Sequence, residues 1–583
     1  MGVQNNHRVV FKNLLLTFML IFLLLLSLMC TLGYLNAAVQ PKGVITITSS
    51  GAVTGTDKIR QNGNVYTLTE DIAGGVAMGS VFINIECSGI VFDGAGKTIR
   101  GTNSGVAIGI YGKNDVTIKN IRIVDFGTGI EIDDFITSSS DEFSFVESSS
   151  NTVMDSYFET RYWCIALRGV KSFVSGNTFI ARNGNAVEFR TAETTFINNK
   201  FIDCVLSYWE FKDSNVLLGN TVNGKPLVIL EGQSNQVIDG AGMVTLINCT
   251  NMVIKNVGAS GLNNPTGFSY PISLFGINNS LITNCKGHMT ISGHNNVIFD
   301  NEFSRVGGTW QAAALILSGS NNVVTQNSIV GINCCGLIVS GSSNYIEKNR
   351  VSSSSDSRLD NCAGITLGGS ENYVYENELS VEEIGLNLRG EHNVLSQNYI
   401  VLHQGRYGLQ LNGAMYNDIL GNNLQGACEY AVWLSCSDFN NFYWNNFKDN
   451  TKVIEIHELV NWPTFTTSSY YAEYNRWDNG KEGNYWSDYK EQDNPANIFG
   501  KTPYKVYENF TDNHPRTKPY DISQIPVTFE KWSGSPNLYS PSEEGHVSKS
   551  FLLMLIGAVI SIIVVVGIVL LWRYKNMPKH KVD

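Results

Sequence analysis

The sequence predicts an all-β fold, a right-handed parallel β-helix solenoid of about 15–17 coils with N- and C-terminal caps, followed by one C-terminal transmembrane helix. Three observations predict it. Apolar pairs and Asn residues recur at fixed offsets along most of the chain; the repeating segments lack a 3.6-residue period; and two long apolar runs bracket everything else.

At the start of the chain, Arg8 and Lys12 precede an uncharged run from Asn13 to Cys30, and Asn36-Ala37-Ala38 follow. A basic start, an apolar stretch and small residues are the parts of a secretory signal peptide, here residues 1–38. Residues 39–90 depart from the repeat and are expected to form the N-terminal cap and first coil, because an uncovered first coil offers open strand edges to other chains.

Residues 91–450 carry the repeat. It is clearest in SGSNNVVTQNSIV, SGSSNYIEKNRVS, GGSENYVYENELS and RGEHNVLSQNYIV, each with one Asn followed five residues later by another: Asn322/Asn327, Asn344/Asn349, Asn372/Asn377 and Asn393/Asn398. Seven and five residues before the first Asn lie Leu315 and Leu317, Leu337 and Val339, Ile365 and Leu367, Leu386 and Leu388. Two residues after it come Val324, Ile346, Val374 and Leu395. Spacings of two are strand alternation with one buried face. The same mark is read at Asn215/Asn220, Asn251/Asn256, Asn279/Asn284, Asn296/Asn301, Asn417/Asn422 and Asn441/Asn446, and weakened at Asp115/Asn120 and Ser172/Asn177.

Three short strands per turn with Gly and Ser at the corners fit such a coil. The second Asn of each mark, as in Asn301, Asn327, Asn349, Asn377, Asn398 and Asn422, is expected to stack coil upon coil. Its amide both donates and accepts, and so satisfies turn backbone that would otherwise be buried unpaired.

Residues 451–525 are expected to form the C-terminal cap, centred on WDNGKEGNYWSDY (477–489). Trp477, Tyr485, Trp486 and Tyr489 would cover the last apolar coil, Gly480 and Gly483 would allow tight turns, and Asp478 and Asp488 would bind turn backbone. Residues 526–550 read as a stalk. Phe551–Trp572 is an uncharged run of 22 residues, which at about 1.5 Å per residue crosses a bilayer core. Arg573, Lys575, Lys579 and Lys581 follow, so the tail 573–583 is expected in the cytoplasm and everything before the span outside.

Between the two apolar ends, 35 basic residues face 51 acidic ones, a net charge of −16. That balance repels nucleic acid and leaves neutral or cationic glycans, metal ions or envelope proteins as partners. The cysteines lack tight CxxC pairs, which excludes a zinc ribbon. An exported location permits disulfides; Cys428 with Cys436, and Cys334 or Cys335 with Cys362, are the candidate pairs, against buried single thiols. Sequons at Asn248, Asn278 and Asn509 permit glycosylation.

From about Asn64 to Ile522, the stretches NVYTLTEDI, GIVFDGAGKTIRG, VNGKPLVILEGQSNQVIDGAG and GNYWSDY resemble the exported parallel β-helix repeat proteins that include NosD, within the pectin-lyase-like fold. That resemblance implies the fold. For function it implies several roles, because the architecture serves sugar cleavage, sugar binding, scaffolding and, in NosD, copper-enzyme maturation. Relatives often follow the SDY with an acidic loop resembling a calcium site. Here KEQDNPANIFGKTPY (490–504) keeps only Asp493, Asn494 and Asn497 as oxygen ligands and has Lys501 where Asp is usual, fewer than the six to eight oxygens calcium takes.

Four chemistries have candidates. Asp133 and Asp134, with Glu131, sit beside the Ser-rich insertion ITSSSDEFSFVESSS (136–150), which would overhang a groove; the plain alternative is a solvated loop entry. Asp133-Asp134 and Gly293-His294 resemble elements of polygalacturonases, but they lie about seven coils, or roughly 30 Å, apart and cannot share one glycosidic bond. Cys285, His288, Met289 and His294 have soft and imidazole ligands suited to copper, although a strand over 288–291 points His288 and Met289 to opposite faces. Trp163, Trp209, Trp310, Trp433 and Trp444 are the candidates for stacking on sugar rings. No cofactor is required by these readings, and calcium or copper are the ions to test. The expected role is non-catalytic recognition or scaffolding of envelope carbohydrate or protein at a single-pass membrane surface. A polysaccharide lyase, hydrolase or epimerase, and a NosD-type copper accessory, are the alternatives.

Overall fold

The computed structural model describes residues 44–139, 142–208, 214–258, 270–307, 312–354, 362–403, 405–426, 429–450, 452–456, 474–490, 498–507, 510–527 and 529–534. Alternating apolar residues in runs of three to six are too short for an independent sheet. They bury their apolar face only by coiling the chain and pairing each strand with its counterpart one turn on.

Each coil has three sides. Val106–Tyr111, Thr128–Asp133, Ile165–Leu167 and Asn185–Phe189 build the first side, pairing in parallel through Ile108↔Ile130, Ile130↔Ile165 and Ile165↔Val187. Val91–Asp93, Thr117–Lys119 and Thr152–Met154 stack on the second, and Thr98–Arg100, Arg122–Val124 and Tyr157–Thr160 on the third. The same pairing continues through Leu337↔Ile365, Leu386↔Leu409 and Leu409↔Val432. At the N-terminus two antiparallel pairs, Ile45–Ile47 with Val53–Thr54 and Ile59–Asn62 with Val65–Leu68, cover the first coil.

The stack contains a seam that the repeat pattern does not announce. Thr221–Val222 pairs antiparallel with Lys225–Pro226 around Asn223-Gly224, both at positive φ (49° and 78°), the dipeptide that a two-residue hairpin turn favours. Strands of the first side stop at Val205–Tyr208 and resume at Lys225–Glu231. The core is accordingly divided into one cluster from Ile45 to Met243 and another from Ile238 to Phe510. Among the described residues the first side holds seven parallel strands before the seam and eleven after it. That is slightly more than the expected coil number, because levels at both ends lack the Asn mark.

Two ladders of Asn run the length of the C-terminal stack. In one, Nδ2 of Asn301, Asn327, Asn349, Asn377, Asn398, Asn422 and Asn445 each donates to Oδ1 of the next, at 2.8 to 3.1 Å, ending on Asn484. The other climbs from Asn296 through Asn322, Asn344, Asn372, Asn393, Asn417 and Asn440 to Asn475. Asn251/Asn256, Asn279/Asn284 and Asp115/Asn120 are not rungs. They sit one residue earlier, at φ between 50° and 57°, and the rung positions are held by Met252, Val257, Ser280, Cys285, Val116 and Ile121. Asn tolerates the left-handed region, so both positions select it and composition alone does not set the frame. Asn441/Asn446 is likewise displaced, one residue late. At the corner leaving the first side, Gly319, Gly341, Gly369 and Gly390 stack, and a Cβ on any of them would lie 2.0 to 2.1 Å from the carbonyl of the glycine below.

The last rungs, Asn475 and Asn484, lie inside the segment assigned to the cap. Two residues after each ladder Asn is a core position; it is filled by Ile419 and Leu424, then by Phe442 and Phe447, and finally by Trp477 and Trp486. Trp477 stacks on Phe442 (4.4 Å, 12°), and Trp486 on Phe447 (4.4 Å, 11°) and under Tyr504 (4.5 Å, 12°). Tyr489 donates to the Thr502 carbonyl at 2.7 Å, whereas Tyr485 is only half-buried, in the strand beside Asn446. Gly480 takes φ 84°, and a Cβ on Gly483 would fall 1.8 Å from Asp512. Asp478 accepts from the Gly480 and Asn513 amides, but Asp488 binds the Tyr504 hydroxyl rather than turn backbone.

Beyond the cap the chain turns back along the second side. Tyr520 pairs with Asn446, Ile525 receives Gln397, and Phe529 packs on Tyr373 (4.7 Å) and Tyr375 (5.0 Å). Residues 526, 527 and 529–534, within the segment read from sequence as stalk, are thus part of a strap on the rod. Among the described residues there is no α-helix, and no helix is long and apolar enough to cross a membrane; 1–43 and 535–583, which hold the expected signal peptide and span, lie outside them.

Candidate functional site

Outward residues on the first side rise one above another at the strand spacing, so polar side chains from distant sequence positions form a continuous row. Before the seam this row holds a charged cluster. Arg168 donates from Nη1 to Glu131 (2.9 Å) and Asp133 (2.7 Å), and from Nη2 to Glu188 (2.7 Å). Arg190 lies 3.1 Å from Glu188, and the Tyr111 hydroxyl donates to Glu131 at 2.7 Å. Burial pushes the Tyr111 phenol far above its ordinary value, and the Glu131 charge adds to it. Burial opposes the Arg168 charge, but the carboxylates of Asp133, Glu188 and Glu131 more than offset it, holding the guanidinium protonated.

Glu131 and Asp133 share one guanidinium nitrogen, which keeps their bonded oxygens within about 5.6 Å of each other. That approaches the roughly 5–5.5 Å of a retaining glycosidase. Yet the guanidinium itself lies between them, where a glycosidic oxygen would have to enter. Three carboxylates against two guanidiniums also leave the cluster negative, which disfavours an acidic sugar.

Asp134 does different work from Asp133. Its Oδ1 accepts the Ser148 amide at 2.7 Å, while the Ser148 hydroxyl donates to the Asp133 carbonyl at 2.6 Å. This latch closes the base of an antiparallel hairpin, Phe135–Ser139 with Glu142–Val146, whose Phe135 packs beside Tyr111, Val81 and Val106. Burial raises the Asp134 carboxyl above its usual range, against the pull of the Ser148 amide. The Ser-rich insertion therefore leaves the coil as a hairpin whose base is fixed beside the charged cluster.

After the seam the row becomes aromatic and amide-rich. Tyr407 pairs in register with Tyr430, and Asn387 with Gln410 and then Trp433. The Tyr407 ring lies 5.6 Å from Trp433 and 6.3 Å from Tyr430, all three half-buried. Arg406 lies over Tyr407 at 5.6 Å, and the Lys452 ammonium over Tyr430 at 4.8 Å. In the same row, two coils and one coil before Trp433, Asn387 and Gln410 are 3% and 8% exposed, and neither Asn387 Oδ1 nor Gln410 Oε1 has a hydrogen-bond partner. An orphaned acceptor in such a place costs about 1–3 kcal/mol unless water or a ligand hydroxyl reaches it.

The other sequence candidates are dispersed. Trp444 donates its indole N–H to Glu482 at 2.6 Å and is held edge-on by Tyr443. Trp163 is half-buried just before the strand Ile165–Leu167, and its carbonyl accepts the Gly129 amide. Trp209 and Trp310 lie outside the described residues, as do Cys428, Asp493, Asn494 and Asn497. The proposed copper ligands do not converge: Cys285 and Met289 are in the core, His288 is buried against Tyr270, and His294 is exposed and accepts the Ser320 amide. Burial pushes the Cys285 thiol up to about 12, which disfavours the thiolate a metal needs. Among the described residues no group of three or more His, Cys, Asp or Glu is arranged to hold a metal.

Sequence reading missed Tyr111, Arg168, Glu188 and Arg190, and on the platform Tyr407, Tyr430, Asn387 and Gln410. The signal was the register. Aligning coils on Ile130, Ile165 and Val187 superposes Glu131, Ala166 and Glu188, but the 136–150 insertion hides that alignment.

Parallel pairing of three strands per turn defines the class, a parallel β-helix repeat protein. Residues 247–424 and 358–491 match the sequence model of the NosD family, described as periplasmic copper-binding protein (NosD), so the C-terminal stack is NosD-like. The matched residues are less than half of the chain. No curated protein matches it. Solved structures similar to it include the A-module of the Azotobacter vinelandii mannuronan C-5 epimerase AlgE6, at 9% identity over 68% of this chain and 89% of that one, TM-score 0.23. Others are the periplasmic alginate epimerase AlgG (10%, 68% and 77%, TM-score 0.19) and the alginate lyase AlyF-OU02 (12%, 60% and 78%, TM-score 0.22).

Proposed function

We propose that the chain is an exported, membrane-anchored β-helix protein that binds neutral envelope glycan on its first side without cleaving it. The observation that carries this reading is the platform of Tyr407, Tyr430 and Trp433 together with the unpartnered amide oxygens of Asn387 and Gln410 in the same row. Sugar rings present apolar faces to aromatic rings and hydroxyl donors to amide oxygens, and the net charge of −16 between the apolar ends selects against acidic polymers. Titration calorimetry against neutral oligosaccharides tests it: Trp433→Ala is expected to weaken binding at least about tenfold, or about 1.4 kcal/mol. Absence of binding at millimolar sugar, or binding indifferent to Trp433→Ala, overturns it. Anchoring is supported by the uncharged run Phe551–Trp572 and the basic residues after it, and predicts that the chain stays in the membrane pellet after alkaline extraction.

The closeness of Glu131 and Asp133 beside the hairpin favours a second reading, a polysaccharide-acting enzyme. New reducing or unsaturated ends from a polysaccharide panel, abolished by Glu131→Gln, would establish it. The family description favours a third, copper handling, which requires stoichiometric copper in the purified protein after exposure to the ion.

A further inference from the structure

We infer that Cys335 and Cys362 form a disulfide bond that ties two successive coils of the C-terminal stack together. The inference rests on the export reading for the oxidising environment and on the packing for the choice of partners.

Three cysteines meet at one corner of the rod. Cys335 opens the strand Cys335–Ser340 on the first side, and Cys362 immediately precedes Ala363–Gly368, the strand paired directly above it. Cys335 and Cys362 belong to one small cluster with Ala313, flanked by Ile316 and Ile338. Both are thiols here, and they are hydrogen-bonded to each other. Cys334 looks the other way: its Sγ is directed at the Arg305 carbonyl of the coil below, at 3.7 Å. Cys334 is not part of the cluster that joins Cys335 to Cys362, so the packing itself separates the two neighbouring cysteines. That geometry resolves the alternative the sequence leaves open, Cys334 or Cys335 with Cys362.

The chemistry suits exchange. The Cys362 thiol donates to Cys335 and holds its pKa below the ordinary thiol value, favouring the thiolate that attacks a disulfide, despite the opposing effect of burial. The Cys335 thiolate attacks a disulfide-bearing oxidant, such as oxidised glutathione or a thiol–disulfide oxidoreductase, breaking its S–S bond to give a mixed disulfide and release the oxidant's other sulfur as a thiolate. Cys362 then displaces the reduced oxidant, so that two thiols lose two protons and two electrons and one S–S bond replaces the oxidant's. With Cys335 and Cys362 only 6% and 7% exposed in the finished stack, the oxidant must reach them during folding, as the two coils come together and the thiols first meet.

The test uses the full-length chain taken from membranes after quenching with N-ethylmaleimide, and the same chain refolded with a glutathione couple. Peptide mapping without reduction should find 335 linked to 362 in both, the linked pair about 2 Da lighter than its dithiol, with Cys334 alkylated. Cys334→Ser should keep the link and Cys335→Ser should abolish it. Alkylation of both Cys335 and Cys362 in the refolded chain, or a link from Cys334 to Cys362, overturns the inference. A link in the refolded chain but not in the membrane-derived one upholds the pairing and sinks the export reading.

Discussion

Replacing Trp486 by Ala removes the plate that ends the core. Trp486 is fully buried, stacked between Phe447 and Tyr504, and its indole N–H donates to Asp512 at 2.9 Å. Emptying a buried Trp site costs about 3–5 kcal/mol, the lost Asp512 donor included. How this reads as a melting shift depends on the cooperative unit. If about 450 residues melt together, an unfolding entropy of about 2.1 cal/mol/K per residue turns about 4 kcal/mol into roughly 4 °C. If only about 120 residues at the C-terminal end melt as a unit, as nearest-neighbour stacks allow, the same loss is roughly 16 °C. Differential scanning calorimetry of the purified protein distinguishes the two, the second as a separate early transition. Trp486→Phe keeps a ring in the stack but loses the N–H and part of the indole volume, so it should fall between wild type and Trp486→Ala, about 2–3 kcal/mol below wild type. A Trp486→Ala protein melting within a degree of wild type, with no early transition, would show that this residue does not close the rod.

Three further outcomes are expected. Asn349 donates to the Val324 carbonyl (2.8 Å) and Asn377 (3.0 Å) and accepts from the Asn327 backbone and side-chain amides, so Asn349→Leu, which keeps the volume, should cost about 3–6 kcal/mol by orphaning several buried groups at once; a urea melt unchanged from wild type would refute the ladder as a stabilising device. Burial pushes the Asp512 carboxyl up to about 6, against its three N–H donors; because its folded value exceeds the ordinary 3.8, its neutral form favours the fold, so this group's contribution is greatest below about pH 4 and is lost as pH rises through 6, by at most about 3 kcal/mol. Asp512→Asn should flatten the melting profile between pH 4.5 and 7, and an unaltered profile would count against it. Asp478 acts in a separate, more acidic window: burial raises it, but the Asn513 and Gly480 amides outweigh that and hold it low, so its contribution is lost only below its ordinary value. Phe529→Ala should raise hydrogen exchange in the strap and over Tyr373–Glu376 while leaving the Asn ladders protected; equal exchange in both proteins would mean the strap does not depend on this ring.

Much of this molecule is legible in its sequence because a solenoid writes its geometry as a period. Leu337, Ile365 and Leu386 are 28 and 21 residues apart in the chain and adjacent in space. The errors arise where two physical demands select the same residue. Asn is favoured both as a ladder rung and, one position earlier, in the left-handed corner, so Asn279 and Asn284 look like rungs although Ser280 and Cys285 occupy those positions. The opposite failure hides the last coil. Asn475 and Asn484 are spaced nine residues apart instead of five because DNGK is inserted between them, and the resulting stretch reads as a foreign cap although Trp477 and Trp486 fill ordinary repeat positions.

The site was less legible for a different reason. A core position announces itself by being apolar in every coil, whereas an outward position is under no such constraint and changes character along the rod, from Glu131, Ala166 and Glu188 before the seam to Asn387, Gln410 and Trp433 after it. Only the register brings such residues together, and every insertion or seam breaks the count by which register is followed. The first side therefore divides into a charged cluster saturated by its own ion pairs and an aromatic platform with amide acceptors left unpartnered. An unmet hydrogen-bonding demand, rather than the density of charge, distinguishes a surface built to receive something from one that is already complete.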